Sequence, residues 1–311
     1  LTTKGFELSV SWRDQFQLAS KPFNYEVRFT LADYQSTIDK YNNPEKKLGD
    51  DYYYEGMKVG EIWGYETEGF FTSQADIDSH AKQPYFYAGA TAGQWLPGDI
   101  KFKDLNGDGV IDYGNNTVDN PGDQKIIGNS EPRFIYGINL SGDWNNFFVS
   151  AFFQGVGKQD WWPGSEASYF WGMYNRPYND MPKSHLGNIW TEENPNTYFP
   201  RLRGYSSEEP YAELNLKQTR YLQNIAYIRM KNIQLGYTLP KSFISKLRMQ
   251  NAKVYVSGEN LWSWSPFYKY SKDLDVEAVR GSDRDLTEGT SGNGYSYPIL
   301  KSVSFGLSVT F

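Results

Sequence analysis

The feature that most constrains this chain is a zigzag at its end. Val303, Phe305, Leu307, Val309 and Phe311 alternate with Ser302, Ser304, Gly306, Ser308 and Thr310. Successive side chains of a strand point to opposite faces. The pattern therefore reads as a strand with one face of large apolar groups and one of small polar groups. Two settings satisfy it. In a water-soluble sheet the apolar face lies on a core. In a membrane barrel it meets lipid, and the small polar face lines the lumen.

Other segments repeat the pattern. Phe6, Leu8, Val10 and Trp12 alternate with Glu7, Ser9, Ser11 and Arg13, and Tyr25, Val27, Phe29 and Leu31 with Glu26, Arg28, Thr30 and Ala32. Phe134, Tyr136, Ile138 and Leu140 form a third strand, and Phe-rich residues 147–157 a fourth of uncertain facing. Over 222–238 the phase switches from Ile228 and Met230 to Ile233, Leu235 and Tyr237, which predicts a bulge near Lys231. Val254, Val256 and Trp262 mark a sixth strand, and 297–311 the seventh. Connections alternate in length. Short ones fall around Ser20-Lys21-Pro22, at Gly142 to Asn146 and at Leu239 to Gln250; long ones occupy 38–133, 158–221 and 265–296. This is the rhythm of an up-and-down membrane barrel, with short turns at one end and long loops at the other. A water-soluble β-sandwich, the alternative, has to accommodate long irregular loops that are uncommon in compact domains. Seven is an odd count, whereas a closed single-chain barrel normally has an even one. Together with a start at Leu1-Thr2-Thr3 that lacks Met or a leader, it sets the expectation of a fragment of a longer chain.

Composition removes several classes. With no cysteine there is no disulfide framework and no thiolate chemistry. A net charge of -6 argues against a nucleic-acid partner, which calls for a basic face. No run approaches the length of a membrane helix, which leaves a membrane barrel open. Aromatic residues make up 17% of the chain, too many for disorder.

Five ordered motifs carry a resemblance. They are Pro97-Gly98-Asp99-Ile100-Lys101-Phe102-Lys103-Asp104-Leu105-Asn106-Gly107-Asp108-Gly109-Val110-Ile111-Asp112, then Ile127 to Gly137, Phe152-Phe153-Gln154-Gly155, Tyr227 to Pro240, and Val256-Ser257-Gly258-Glu259-Asn260-Leu261. Gly64-Tyr65 and Gly69-Phe70-Phe71 add to them. Over nearly its whole length the sequence resembles the SusC-like TonB-dependent transporters of Bacteroidetes, and its terminal Phe311 is similar to the closing aromatic of outer-membrane barrels. The resemblance implies an all-β fold. Residues 1–311 would be the C-terminal portion, about seven strands, of an antiparallel transmembrane barrel of about 22. The plug domain and earlier strands would lie upstream. It further implies a place in the bacterial outer membrane, with a periplasmic C-terminus and extracellular long loops. The implied partners are outer-membrane lipid, the rest of the barrel, a SusD-like surface lipoprotein, and the TonB complex acting through the absent N-terminal region. The implied activity is energised import of oligosaccharides, or in some members oligopeptides.

One segment has ligand spacing. Asp104, Asn106, Asp108, the Val110 carbonyl and Asp112 fall at positions 1, 3, 5, 7 and 9 of an EF-hand-type loop, with Gly109 at the sharp turn. Asn115 replaces the usual Glu at position 12, and Asp119 or Asp123 could compensate. The expectation is a structural Ca²⁺, or less favourably Mg²⁺, that stiffens 98–125. The competing reading is a metal-free turn, which these residue types also favour.

Trp161, Trp162, Tyr169, Phe170, Trp171, Tyr174 and Tyr178 crowd one long loop. Their faces suit sugar rings, a partner interface or plain packing; Trp161, Trp162, Tyr169 and Trp171 are the candidate substrate or partner contacts. Tyr52, Tyr53, Tyr54, Trp63 and Tyr65 allow the same three readings. His80 and His185 show no zinc spacing. Glu192, Glu193, Glu208, Glu209, Asp283 and Asp285 allow a glycosidase pair formally, but solvated loops account for them. No catalytic residue and no organic cofactor is assigned. A soluble carbohydrate-binding or glycosidase protein and a passive porin are the competing functions.

Overall fold

Strands dominate the computed structural model, which describes residues 1–49, 52–84, 95–165, 167–203, 212–279, 294 and 296–311. They are β1 (Thr2–Leu18), β2 (Lys21–Thr37), β3 (Glu61–Tyr65), β4 (Thr67–Phe70), β5 (Ile100–Phe102), β6 (Gln124–Asn129), β7 (Arg133–Trp144), β8 (Phe147–Lys158), β9 (Asp160–Trp161), β10 (Gln223–Asn224), β11 (Tyr227–Thr238), β12 (Asn251–Trp264) and β13 (Ser302–Thr310). Seven form one sheet in the order β1-β2-β7-β8-β11-β12-β13, and every neighbouring pair is antiparallel. The other six make two-stranded ribbons, β3 with β6, β4 with β5, and β9 with β10. Among the described residues no second large sheet covers the first, which removes the sandwich.

Register turns the alternation of single strands into two continuous faces, because directly opposed residues share a face. One row runs Phe305, Val256, Leu235, Val149, Gly142, Tyr25 and ends on the single carboxylate of Asp14 in β1. The next runs Leu307, Val254, Tyr237, Phe147, Trp144, Phe23, Phe16. That second row is an aromatic band beside the short turns, the position of an interfacial girdle in a membrane barrel. This face is bare: Trp12 is 62% exposed, Leu307 66% and Phe305 87%. Water does not tolerate an apolar surface of that extent on a monomer. Among the described residues no helix is long and apolar enough to cross a membrane; the strands are the elements with the reach.

Two of the short connections are tighter than their sequences predict. β1 and β2 join through Ala19 and Ser20, both at positive φ, not through Ser20 to Pro22. β7 runs on to Trp144, so Gly142 to Trp144 belong to the strand and only Asn145 and Asn146 turn, at φ 47 and 70. Two central residues at positive φ match the right-handed strand twist. The bulge near Lys231 is present, with the register shifting between Met230 and Asn232 in both pairings of β11. β13 begins at Ser302 rather than 297.

The long connections are not open loops. They share a core of Ile100, Phe102, Trp161, Phe170, Trp171, Tyr174, Phe199, Tyr221 and Phe267 with smaller neighbours. Val156 and Tyr227 from the strand tops join it. These two oppose each other on the face away from Phe305 and Leu235. The loop module is thus anchored on the polar side of the wall. Each fully buried ring contributes about 1.5–3 kcal/mol, so the module has a core of its own.

Candidate transport surface

The face opposite the apolar stripe is polar and finely patterned. One row reads Arg13, Glu26, Ser141, Ser150, Gln234, Ser257, Ser304. Arg13 and Glu26 pair at 3.0 Å. Phe148 lies over Gly236 and Tyr255 over Gly306, where any side chain would collide with the ring. Glycine there lets an aromatic lie flat along the wall. Hydroxyls, amides and flat rings make a surface that a hydrated polar solute can slide over without strong trapping.

Ion pairs staple the loops to the strand tops. Arg229 reaches Asp275 at 2.6 Å, and Lys231 at the bulge reaches Glu277 at 2.5 Å. Arg229 Nε also sits 2.7 Å from Glu277, without the alignment of a hydrogen bond. Arg229 and Asp275 are buried at their side chains. Removing the arginine would strand the Asp275 carboxylate, a loss of about 3–5 kcal/mol, while Glu277 keeps Lys231. Between β7 and β2, Arg133 forks onto Asp33 at 2.5 and 2.6 Å. Sequence reading missed these partners, since Asp275 and Glu277 lie far along the chain from Arg229.

The long motif beginning at Pro97 organises the loop module. Gly98 takes a φ of +92 under the Trp190 ring, which leaves no room for a side chain. Asp99, fully buried, accepts from Leu96 N–H at 2.7 Å and is held by the Arg203 guanidinium. Glu213, also fully buried, accepts from Ile100 N–H at 2.7 Å. Burial, reinforced by the neighbouring Asp99 charge, pushes its carboxyl up to about 8.

Downstream, the residues with ligand spacing turn onto the backbone. Asp104 accepts from Gly107 and Gly109 N–H at 2.6 and 2.9 Å, which holds its carboxyl below the usual range. Asn106 accepts from Asp108 N–H, Asp108 from Val110 N–H, and Asp112 from Gly114 N–H. Asp123 is the hub: one oxygen accepts from Leu105 N–H at 2.6 Å and the other from Asp112 N–H at 2.8 Å. Asn115 and Asp119 are exposed. Among the described residues no group of three or more His, Asp or Glu is gathered around a common point. The donor types suit a hard cation, but in this arrangement they serve the turn.

Of the four candidate contacts, Trp161 and Trp171 are in the core, with Trp171 Nε1–H donating to Pro163 and Gly164 carbonyls. Both rings are enclosed by the packing of the loop core. Trp162 is half-buried against Trp171. Tyr169 is exposed, as are Tyr178, Met181 and Leu186 nearby. In the other aromatic segment Tyr52 and Tyr53 are exposed, while Tyr54 and Tyr65 are core. His80 and His185 each set Nε2 against a backbone carbonyl, Phe102 and Phe170, at 2.8 and 2.9 Å. Burial pulls His185 down to about 4, so it stays neutral. Glu208, Glu209, Asp283 and Asp285 lie outside the described residues.

No family model matches the chain. Over its full length it is 26% identical to the TonB-dependent receptor P3 of Formosa agariphila, of which it covers 29%. It is 29% identical over 264 residues to the TonB-dependent receptor P26 of the same organism, covering 82% of this chain and 23% of that one. The chain thus spans about a quarter to three tenths of the length of the curated relatives it matches. Among solved structures it aligns with the RagAB peptide importer. In the open-open state the TM-score is 0.61 at 18% identity, over 99% of this chain and 28% of that one. In the closed-closed state it is 0.63 at 16% identity, over 99% and 30%. At those identities the likeness is one of fold, and the fold is part of a larger barrel.

Proposed function

We propose, taking as premise that the chain belongs to the TonB-dependent receptors, that it forms wall strands and outer roof of a barrel importing oligosaccharides across a bacterial outer membrane. The observation that carries this reading is the pairing of the two sheet faces. A predominantly apolar surface with an aromatic band backs onto rows of Ser, Gln and Asn that continue into a roof of folded loops. On this reading the short turns and the C-terminus are periplasmic and the loop module is extracellular. A SusD-like lipoprotein closes over the module, and exposed Tyr169, Tyr178, Met181 and Leu186 supply a docking patch with the aromatic character of interface anchors. Cargo held between that lid and an upstream plug enters the lumen when TonB, drawing on the proton-motive force, remodels the plug. No bond is made or broken, so the residues act by binding and by shaping the path.

Oligosaccharide is preferred over peptide because exposed tyrosines on two loops offer flat faces to sugar rings. The peptide reading has its own support in the fold shared with the RagAB peptide importer. The experiment is uptake by cells carrying or lacking the full-length gene, with fluorescent oligosaccharides and oligopeptides and with or without an uncoupler. Energy-dependent loss of oligosaccharide uptake alone is expected. Loss of peptide uptake alone selects the second cargo, and no energy-dependent loss of either contradicts the import reading.

A further inference from the structure

The end of the sheet that carries the short connections is one-sided in charge. Beyond the aromatic band lie Gln17 to Pro22, the Asn145-Asn146 turn, Thr238 to Lys253 and Ser308 to Phe311. These segments hold Lys21, Lys241, Lys246, Arg248 and Lys253, and not one Asp or Glu. In a chain of net charge -6 the carboxylates are thus kept to higher levels of the wall and to the long connections. Lys253 turns to the polar face, with Nζ 5.5 Å from the centre of the Phe148 ring. The other four are exposed, and none is within ion-pair reach of a carboxylate among the described residues. Lys21 shares the apolar face with Phe23, and its Nζ donates to Asn145 Oδ1 at 2.5 Å, level with the neighbouring turn. Beside it the Trp144 indole N–H donates to the Leu18 carbonyl at 2.9 Å, so the polar tip of that ring is aimed at the rim.

The connection from β11 to β12 is built to lie on this rim. Pro240 starts a short helix, Lys241–Ile244, which continues as a 3-10 turn, Ser245–Leu247, and Arg248 at φ 56 reverses the chain. The helix packs against β12. Ile244 is buried, and so is Ala252, which stands two residues before Val254 and therefore on the same apolar face. The connection is folded onto the end of the wall by these contacts, yet Phe243 is left 57% exposed between Lys241 and Lys246 in the sequence. An exposed ring among cations, continuous with an apolar face, is a composition that settles at the boundary between acyl chains and headgroups. Cations at that depth gain from anionic lipid, within a Debye length of its surface. An extended lipid surface does not require the cations to converge on one point. It requires them at one level, and strand pairing puts all four beyond the same aromatic row. We propose that this rim binds the anionic headgroups of phospholipids, with Phe243 seated among the acyl chains. The inference rests on the import reading in that the apolar face must lie in a bilayer, and it adds which lipid this end selects.

The test uses the full-length receptor in bilayers of phosphatidylcholine with a minor share of phosphatidylglycerol. A fluorophore is attached at Ser242→Cys, and the quencher is either lipid carrying a nitroxide near the top of its acyl chain. The phosphatidylglycerol probe is expected to quench at about one fifth of the mole fraction, or less, at low salt, with the advantage shrinking as salt is added. K241Q/K246Q/R248Q is expected to abolish the preference, whereas K241R/K246R keeps it and controls for folding. Phe243→Ser is expected to weaken quenching by both lipids, and unchanged quenching overturns the seating of the ring. A label at 235, which the import reading sets against acyl chains, separates the failures. Quenching at 235 with none at 242, equal quenching at 242 by the two lipids, or a Gln variant with the parent's preference overturns the proposal and leaves the import reading in place. No quenching at 235 removes the bilayer from both. Displacement of the lipid by inorganic phosphate beyond that by chloride at equal ionic strength makes the rim a site for free phosphate and likewise overturns the proposal.

Discussion

Glu213 carries the clearest single-residue consequence. Its carboxyl is enclosed beside Asp99, so in the folded module it holds its proton up to about pH 8, against 4.5 for the ordinary group. Between those values the folded state binds one proton more than the unfolded state. Stability of the module therefore falls as pH rises through that window and levels off above it. Glu213→Gln should flatten the slope and leave the module more stable than the parent at pH 8, read as the midpoint of thermal unfolding across a pH series. His185 works in the opposite direction: pulled down to about 4, it adds stability above its ordinary 6.5 that is lost as pH falls toward 4. Neither residue was legible in the sequence, because burial is set by segments far apart in the chain. Gly98 was legible as part of a motif, but its reason, the Trp190 ring, was not.

The elements divide sharply in how readable they were. The wall strands declared themselves through alternation, and even the bulge at Lys231 showed as a phase change. A period-2 pattern survives here because each face has one uniform neighbour for the whole strand length. The tight Asn145-Asn146 turn was blurred by Trp144, which reads as loop in sequence but completes an aromatic row. The loop module was unreadable, since its core is assembled from three separate insertions with no common period. The 104–112 segment illustrates the difficulty, because the same residues serve a turn or a cation. Calcium there is a proposal that requires Asp104, Asp108 and Asp112 to swing from backbone N–H groups to the ion. Limited proteolysis of 98–125 in the full-length receptor measures it. Slower cleavage with Ca²⁺ than with chelator is the expected outcome, and identical rates would leave Asp123 and its neighbours as the only organisers of the loop.

At the scale of the molecule, two solvents explain the architecture. One face of the seven-strand sheet is built for hydrocarbon, the other for water, and the folded loops gather on the watery side. Strand pairing fixes which residues belong to which face, so the assignment is sharp at every position. The chain contains no cysteine, which makes single-site labelling of this region clean. The decisive measurement places nitroxide labels one at a time at 149, 150, 234, 235, 304 and 305 in the full-length receptor in lipid. It then compares collisions with dissolved oxygen and with a water-soluble nickel complex. Labels at 149, 235 and 305 are predicted to meet oxygen and exclude nickel, and those at 150, 234 and 304 to do the reverse. Loss of this alternation, or exclusion of both reagents at 149, 235 and 305, would place a protein core where lipid belongs and contradict the account.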